Sequence, residues 1–231
     1  MAEMMRLQKK LGSADFVDAS DLIWDLRMIK TEAEISCIRK SADIVTKSYD
    51  MMFSTIREGM TERDAAQMMA TNFMKLGADF PFHGMPGPIV HMIVDASRPH
   101  PHIPTTKVLK KGDVLHIDTG ARYKGYCTEW ARCGVVGNPS EEQTKIWKKV
   151  RRKIKRAVKA VKPGAKLGNM PVWTHAFGMD HVEIPYPGIS HRRVPYDEML
   201  IKEGMTLAVE SEIISPAGPF QLEQNVLVIE D

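Results

Sequence analysis

Four carboxylates set inside apolar strands constrain this chain more than any other feature. Asp118 follows Val114, Leu115 and Ile117; Glu210 follows Leu207, Ala208 and Val209. Asp118 and Glu129 stand eleven residues apart, with their midpoint in the turn-like stretch 122–125. Glu210 and Glu223 stand thirteen apart, centred on the Pro- and Gly-bearing stretch 215–219. An odd separation centred on a turn makes two residues direct cross-strand neighbours on one face, with Cβ atoms about 5 Å apart. A buried carboxylate without compensation costs several kcal/mol, so two such pairs call for cations. A dinuclear centre, with hard divalent ions about 3.5–4 Å apart, needs paired carboxylates. Oxygen-rich ligation suits Mn or another available divalent ion. The competing reading turns each acid to solvent on a one-sided sheet.

An imidazole is the expected fifth ligand, and eight histidines are available. His175 stands among apolar neighbours in THAFGMDHVEIP, where a lone histidine is more often structural. His100 and His102, in SRPHPHIPTT, lie 18 and 16 residues before Asp118. A neutral imidazole there would shuttle protons or bind a leaving group. His181 is the remaining candidate near the site.

The rest of the text supplies helices and hairpins in mixed order, which predicts an α+β chain rather than a doubly wound parallel sheet. Thr31-Glu32-Ala33-Glu34 reads as a capping box. Ile35, Ile38, Ala42, Val45, Tyr49, Met52 and Ile56 follow it at helical spacing, with Gly59 as the stop. Thr61 starts a second helix with Ala65, Met68, Met69 and Phe73 on its apolar face. Residues 113–119, 125–136, 205–214 and 220–229 read as strands, and 89–94 as a weaker one. Residues 171–188 read as irregular. Ser140 to Gln143 forms another capping box ahead of a long basic helix ended by Pro163-Gly164.

Composition excludes some classes. No apolar run reaches the about 18 residues of a membrane span. The first 30 residues lack the charged-then-apolar order of a secretory signal. Three scattered cysteines without a CxxC argue against a disulfide framework or a zinc ribbon, so a reducing cytoplasm is the default location. The sixteen methionines read as flexible core filler.

Four strings in this order carry a family resemblance: LRMIKTEAEISCIRKSADI, IREGMTERDAA, KKGDVLHIDTGARYKGYCTEWAR and EGMTLAVESEIISPAGPFQLEQNVLVIED. Together they resemble the creatinase/aminopeptidase P/prolidase/methionine aminopeptidase metallopeptidases. The likeness runs from about Leu26 to Glu230. It implies a pita-bread fold, a curved antiparallel sheet flanked by helices. It makes residues 26–231 the catalytic domain and residues 1–25 a remnant of an N-terminal domain or linker. By position, Asp118, Glu129, His175, Glu210 and Glu223 match the five metal ligands. His100 or His102 matches the substrate-side histidine, one residue off either way. Glu210 matches the glutamate that takes and returns a proton.

The resemblance further implies two divalent ions (Mn, with Co, Zn or Fe as alternatives) whose activated hydroxide attacks a peptide bond. It points to Xaa-Pro aminopeptidase or dipeptidase action on a short peptide or small amide, with a homodimer compatible. The chain departs from the pattern at several places, among them Ser211, where a Pro often follows the glutamate. Glu129 stands where the family has Asp. Val182 stands where it has a second histidine, with His181 one residue earlier. Only ten residues separate Gly164 from His175, so the second half is shortened. These departures keep two rivals open: non-peptide hydrolysis or lyase chemistry on the same fold, and a degenerate binding protein without catalysis.

Residues 145–162 hold ten Lys or Arg and no acid, so the net charge of +3 hides −7 on the remainder. Ile146, Val150, Ile154, Val158 and Val161 mark a buried stripe, and the cations read as its solvated face. An anion or nucleic-acid surface is the rival reading. Without aromatic platforms beyond Trp147, the sequence argues against nucleic acid.

Overall fold

The structure is a computed structural model and describes residues 2–81, 91–93, 103–188 and 194–230. Two helices precede the predicted first element: α1 (Ala2–Lys10), which buries none of its side chains, and α2 (Ser20–Met28), which buries Met28. Helix α3 (Glu32–Phe53) starts at the predicted capping box, with the Thr31 and Glu34 side chains answering each other's backbone N–H. It ends at Phe53, before Gly59. Helix α4 (Glu62–Lys75) begins with a second reciprocal box, Thr61 with Asp64. Each box satisfies donors that a helix start leaves unpaired. Ile44, Val45, Tyr49 and Met52 of α3 pack with Met69 and Phe73 of α4 against Leu115 and Ile117.

Among the described residues the strands form three small antiparallel sheets. One has the order β1 (Phe80–Pro81), β4 (Ala121–Tyr123), β5 (Tyr126–Cys127). The second is β2 (His91–Ile93), β3 (Val114–Thr119), β6 (Trp130–Val135). The third is β7 (Trp173–Ala176), β8 (Thr206–Ser215), β9 (Gly218–Leu227). Strand β7 corrects the irregular reading of 171–188. Four residues are too few for a visible alternation, and pairing with β8 decides their conformation.

Helix α5 (Glu141–Ala160) is the basic helix, capped by Ser140 and Gln143 as predicted. Its buried stripe is Ile146, Val150, Ile154 and Ala157. Val158 is 36% exposed, against expectation, because Ala157 occupies the position over Val209 and Leu222. A third cluster joins Met28 to Ile184, Ile201, Met205 and Leu207.

One hairpin keeps its predicted register and the other does not. In β8–β9, Glu210 pairs directly with Glu223 along a run of ten paired positions from Thr206 to Ser215. In β3–β6, Asp118 pairs with Ala131, not with Glu129. The turn is centred on Lys124-Gly125, one residue beyond the sequence estimate. Both residues take positive φ, 49° and 83°, the primed two-residue turn that suits the twist of flanking strands. The whole ladder shifts by two residues. A two-residue shift preserves the face, because side chains alternate with period two. Glu129 therefore becomes a diagonal neighbour of Asp118 rather than its opposite. At the junction, a Cβ on Gly120 would lie 1.7 Å from the carbonyl oxygen of Thr128. Only glycine allows that approach.

Candidate metal centre

Three buried side chains converge from three parts of the chain. Glu129 lies just before β6, His175 on β7 and Glu223 on β9, with 5%, 3% and 1% of their surface exposed. The His175 Nε2 lies 3.6 Å from Glu129 Oε2 and 3.6 Å from Glu223 Oε1. One donor atom from each lies within 4.8 Å of the other two. His175 Nδ1 donates to the carbonyl of Ala176 at 3.1 Å. A carbonyl only accepts, so that bond fixes the tautomer and leaves the Nε2 lone pair facing the two carboxylates.

Glu210 and Asp118 complete the cluster. Glu210 faces Glu223 across the ladder, and its Oε2 accepts from Gln221 Nε2 at 2.7 Å. Burial first, then the charges of Asp118 and Glu129, pushes the Glu210 carboxyl up to about 7, with His175 acting in the other direction. Several acids thus share one region, and burial together with their mutual repulsion favours the protonated form of Glu210. The three converging side chains bring two carboxylates and one imidazole, groups that suit hard or borderline divalent cations, and Glu210 and Asp118 add two further carboxylates beside them.

Long-range contacts hold these acids in place. Tyr49 of α3 sets its hydroxyl 3.0 Å from the Ile117 carbonyl and 2.8 Å from that of Trp130, bracing β3 against β6 beside Asp118. Ser41 of α3 donates to the Ala121 carbonyl and meets the Thr128 hydroxyl. Asn225 holds the backbone of Glu129 from both sides: its Oδ1 accepts from Glu129 N–H and its Nδ2 donates to the Glu129 carbonyl at 2.6 Å. Arg132 donates to the carbonyl of Glu223. These links hold β9 to β6 and thereby place Glu129 beside Glu223.

Two further groups border the cluster. Trp173 is paired in register with Glu210, is 46% exposed, and meets the Tyr186 ring edge-on at 5.8 Å. Tyr186 leans on His175 at 5.5 Å, and burial followed by the charges of Glu210 and Glu129 raises its pKa. After β7 the chain turns back through Glu183, which is buried with Lys30 at 3.0 Å and also pairs with Arg27 at 2.6 Å.

Sequence reasoning missed Asn225, Gln221, Glu183, Trp173 and Tyr186. Only the β9 residues left a signal: Gln221, Glu223 and Asn225 form a polar stripe at period two in an otherwise mixed strand. Of the histidines expected near the site, His175 is in the cluster. His181 lies half-buried in the loop after β7, outside the three-residue donor set. His100 and His102 fall outside the described residues.

The sequence profile of metallopeptidase family M24 matches residues 36–171. The Xaa-Pro dipeptidase of Pyrococcus furiosus is 32% identical across 97% of this chain and 67% of its own length. The chain belongs to metallopeptidase family M24. A second M24 relative, the Xaa-Pro dipeptidase of Pyrococcus horikoshii, is 30% identical across 96% of this chain and 66% of its own length. The chain thus spans about two thirds of the length of these relatives. Among solved structures, the prolidase from Pyrococcus furiosus superimposes with a TM-score of 0.84 at 30% identity, covering all of this chain and 72% of that one. The fold is the pita-bread fold expected from the motif strings, on a shorter chain than its structural neighbours. Among the described residues, no helix is long and apolar enough to cross a membrane.

Proposed function

We propose that this M24 chain is a metal-dependent peptidase that hydrolyses short Xaa-Pro peptides. The observation that carries the reading is the convergence of Glu129, His175 and Glu223 to within 4.8 Å, with Glu210 and Asp118 electrostatically coupled beside them. The names of the Pyrococcus relatives supply the substrate class. Asp118, Glu129, His175, Glu210 and Glu223 would hold two divalent ions, of which Mn fits the oxygen-rich set. Bound there, such ions would supply Lewis-acid chemistry, polarising an amide carbonyl and lowering the pKa of water.

The chain's own groups do the rest. Glu210, steadied by Gln221 through the hydrogen bond to its Oε2, accepts a proton from the attacking water and returns it to the departing amine. His175 keeps its Nε2 directed at the acids through its bond to Ala176. Trp173 and Tyr186 form an apolar wall beside the cluster, against which a pyrrolidine ring can lie. His100 or His102 would meet the substrate, with His181 as the third candidate.

The Glu129 and Val182 departures, with the shortened stretch before His175, favour the alternative of a binding protein that keeps the cluster without turnover. Metal content per chain and hydrolysis of a panel of Xaa-Pro dipeptides, measured on Mn-loaded and dialysed protein, separate the two. About two ions per chain with release of proline supports the peptidase. Bound metal with no hydrolysis, or no bound metal, overturns the peptidase and leaves the degenerate binding protein.

A further inference from the structure

The basic face of α5 is not used by the peptidase reading, and the structure shows what lies beneath it. A groove of about 870 Å³ runs along α5, bounded by Phe53 at the end of α3, Arg132 and Cys133 of β6, and Leu222 to Gln224 of β9. Its apolar floor comes from Phe53, Ile154, Val158 and Leu222. Six cations border it: Arg132, Arg151, Arg152, Lys155, Arg156 and Lys159. Among the described lining residues the one acid is Glu223, whose carboxylate belongs to the acidic cluster. Arg132 is already occupied: it donates to the carbonyl of Glu223 and stacks on Trp130 at 4.5 Å. Arg151 lies over Trp147 at 5.3 Å. Among the described residues, no carboxylate forms an ion pair with Arg152, Lys155, Arg156 or Lys159.

Charge and spacing define the occupant. Arg151, Lys155 and Lys159 recur every four residues, about 6 Å along a helix. Alternate side chains of an extended peptide recur about 6.6 Å apart. A strand-like segment with an acid at every second position would meet the three cations in step, and its intervening side chains would turn to the floor. A nucleic-acid backbone matches the charge but offers nothing to that floor, and the Trp147 face is covered by Arg151. We propose that this groove docks an extended acidic peptide segment of a partner protein, with acidic and apolar residues alternating.

The test is fluorescence anisotropy on the intact chain. The probes are a labelled peptide of alternating Glu and Leu, its Lys-for-Glu counterpart, its Ser-for-Leu counterpart, and a single-stranded oligothymidine of similar charge. The Glu/Leu peptide is expected to bind with a Kd in the range of about 10–100 μM at low salt and to weaken as salt screens the contacts. The Lys peptide should not bind, and the Ser and oligothymidine probes should bind at least roughly tenfold more weakly. Lys155→Glu with Lys159→Glu, both exposed, should weaken the Glu/Leu peptide by about tenfold or more. Binding that is indifferent to these two substitutions overturns the proposal. So does oligothymidine binding as tight as the peptide's, which would make the face a general polyanion surface. So does concentration-dependent dimerisation that the double variant abolishes, which would make the occupant a second copy of the chain.

Discussion

The β8–β9 and β3–β6 hairpins carry the same chemistry and are specified differently. In the first, Glu210 and Glu223 face each other along an uninterrupted ladder closed at Ser215 and Gly218. In the second, the ladder divides at Gly120 into β3–β6 and β4–β5, and Asp118 faces Ala131 while Glu129 sits on the diagonal. The acids of the β8–β9 hairpin are placed by their own register. Glu129 is placed from outside, by the Asn225 clamp that reaches across from β9. A ligand fixed by strand pairing resists local change, whereas one fixed by a single side-chain clamp depends on that residue.

This contrast can be broken in order of expected effect. Glu210→Gln removes the group proposed to handle the proton while keeping a neutral partner opposite Glu223. We expect kcat to fall about 10²–10⁴-fold with the fold retained by circular dichroism, and near-wild-type turnover would remove Glu210 from that role. Asn225→Ala should loosen Glu129 without touching the Glu210–Glu223 pairing. The expected loss is about 10–100-fold in metal affinity by titration calorimetry, in line with other groups that orient a ligand. An unchanged affinity would mean that the diagonal placement holds without the clamp.

A smaller effect concerns pH. The Glu210 carboxyl is raised from the ordinary 4.5 to about 7 in the metal-free fold. Between those values the folded chain keeps a proton that the unfolded chain has released. The contribution of this group to the metal-free fold is therefore fully present below about 4.5 and is lost as pH rises toward 7. From about pH 5 to pH 7.5 its Tm should fall by about 3–8 °C in differential scanning fluorimetry, provided Glu210 dominates the slope. Glu210→Gln should flatten this slope, and saturating divalent metal should raise Tm most at the upper end. A Tm that rises across the same range in the wild type alone would contradict the assignment.

The smallest effect is expected from Glu129→Asp. The shorter side chain withdraws the carboxylate by about 1.5 Å, and carboxylates adapt between one- and two-oxygen ligation. Activity should be preserved within about threefold or improve, with metal content unchanged. Loss of metal in that variant would show that the extra methylene is what brings Glu129 within reach of His175.

Much of the fold was legible in the sequence because its signals are local. The capping boxes at Thr31 and Ser140 need only four residues each, and both start helices, as does Thr61. The Glu210–Glu223 pairing was legible because a Pro- and Gly-marked turn centres a long regular ladder. The Asp118–Glu129 register was not, because Lys124-Gly125 and Arg122-Tyr123 both read as turn residues, and a one-residue error in the turn moves every pair. Strand β7 was hidden by its brevity, and the α5 stripe drifted at Val158 because the sheet beneath, not the helix, selects which flank is buried.

The sequence by itself determined the residue types of the cluster, their order along the chain, and the face on which each acid lies, since strand alternation survives a two-residue register shift. Tertiary structure alone decided that Glu129, His175 and Glu223 meet within 4.8 Å, that Asn225 holds Glu129 in place, and that Trp173 and Tyr186 wall the cluster. Those contacts join residues tens of positions apart, and no local pattern encodes a distance between strands that only the packing of two sheets brings together.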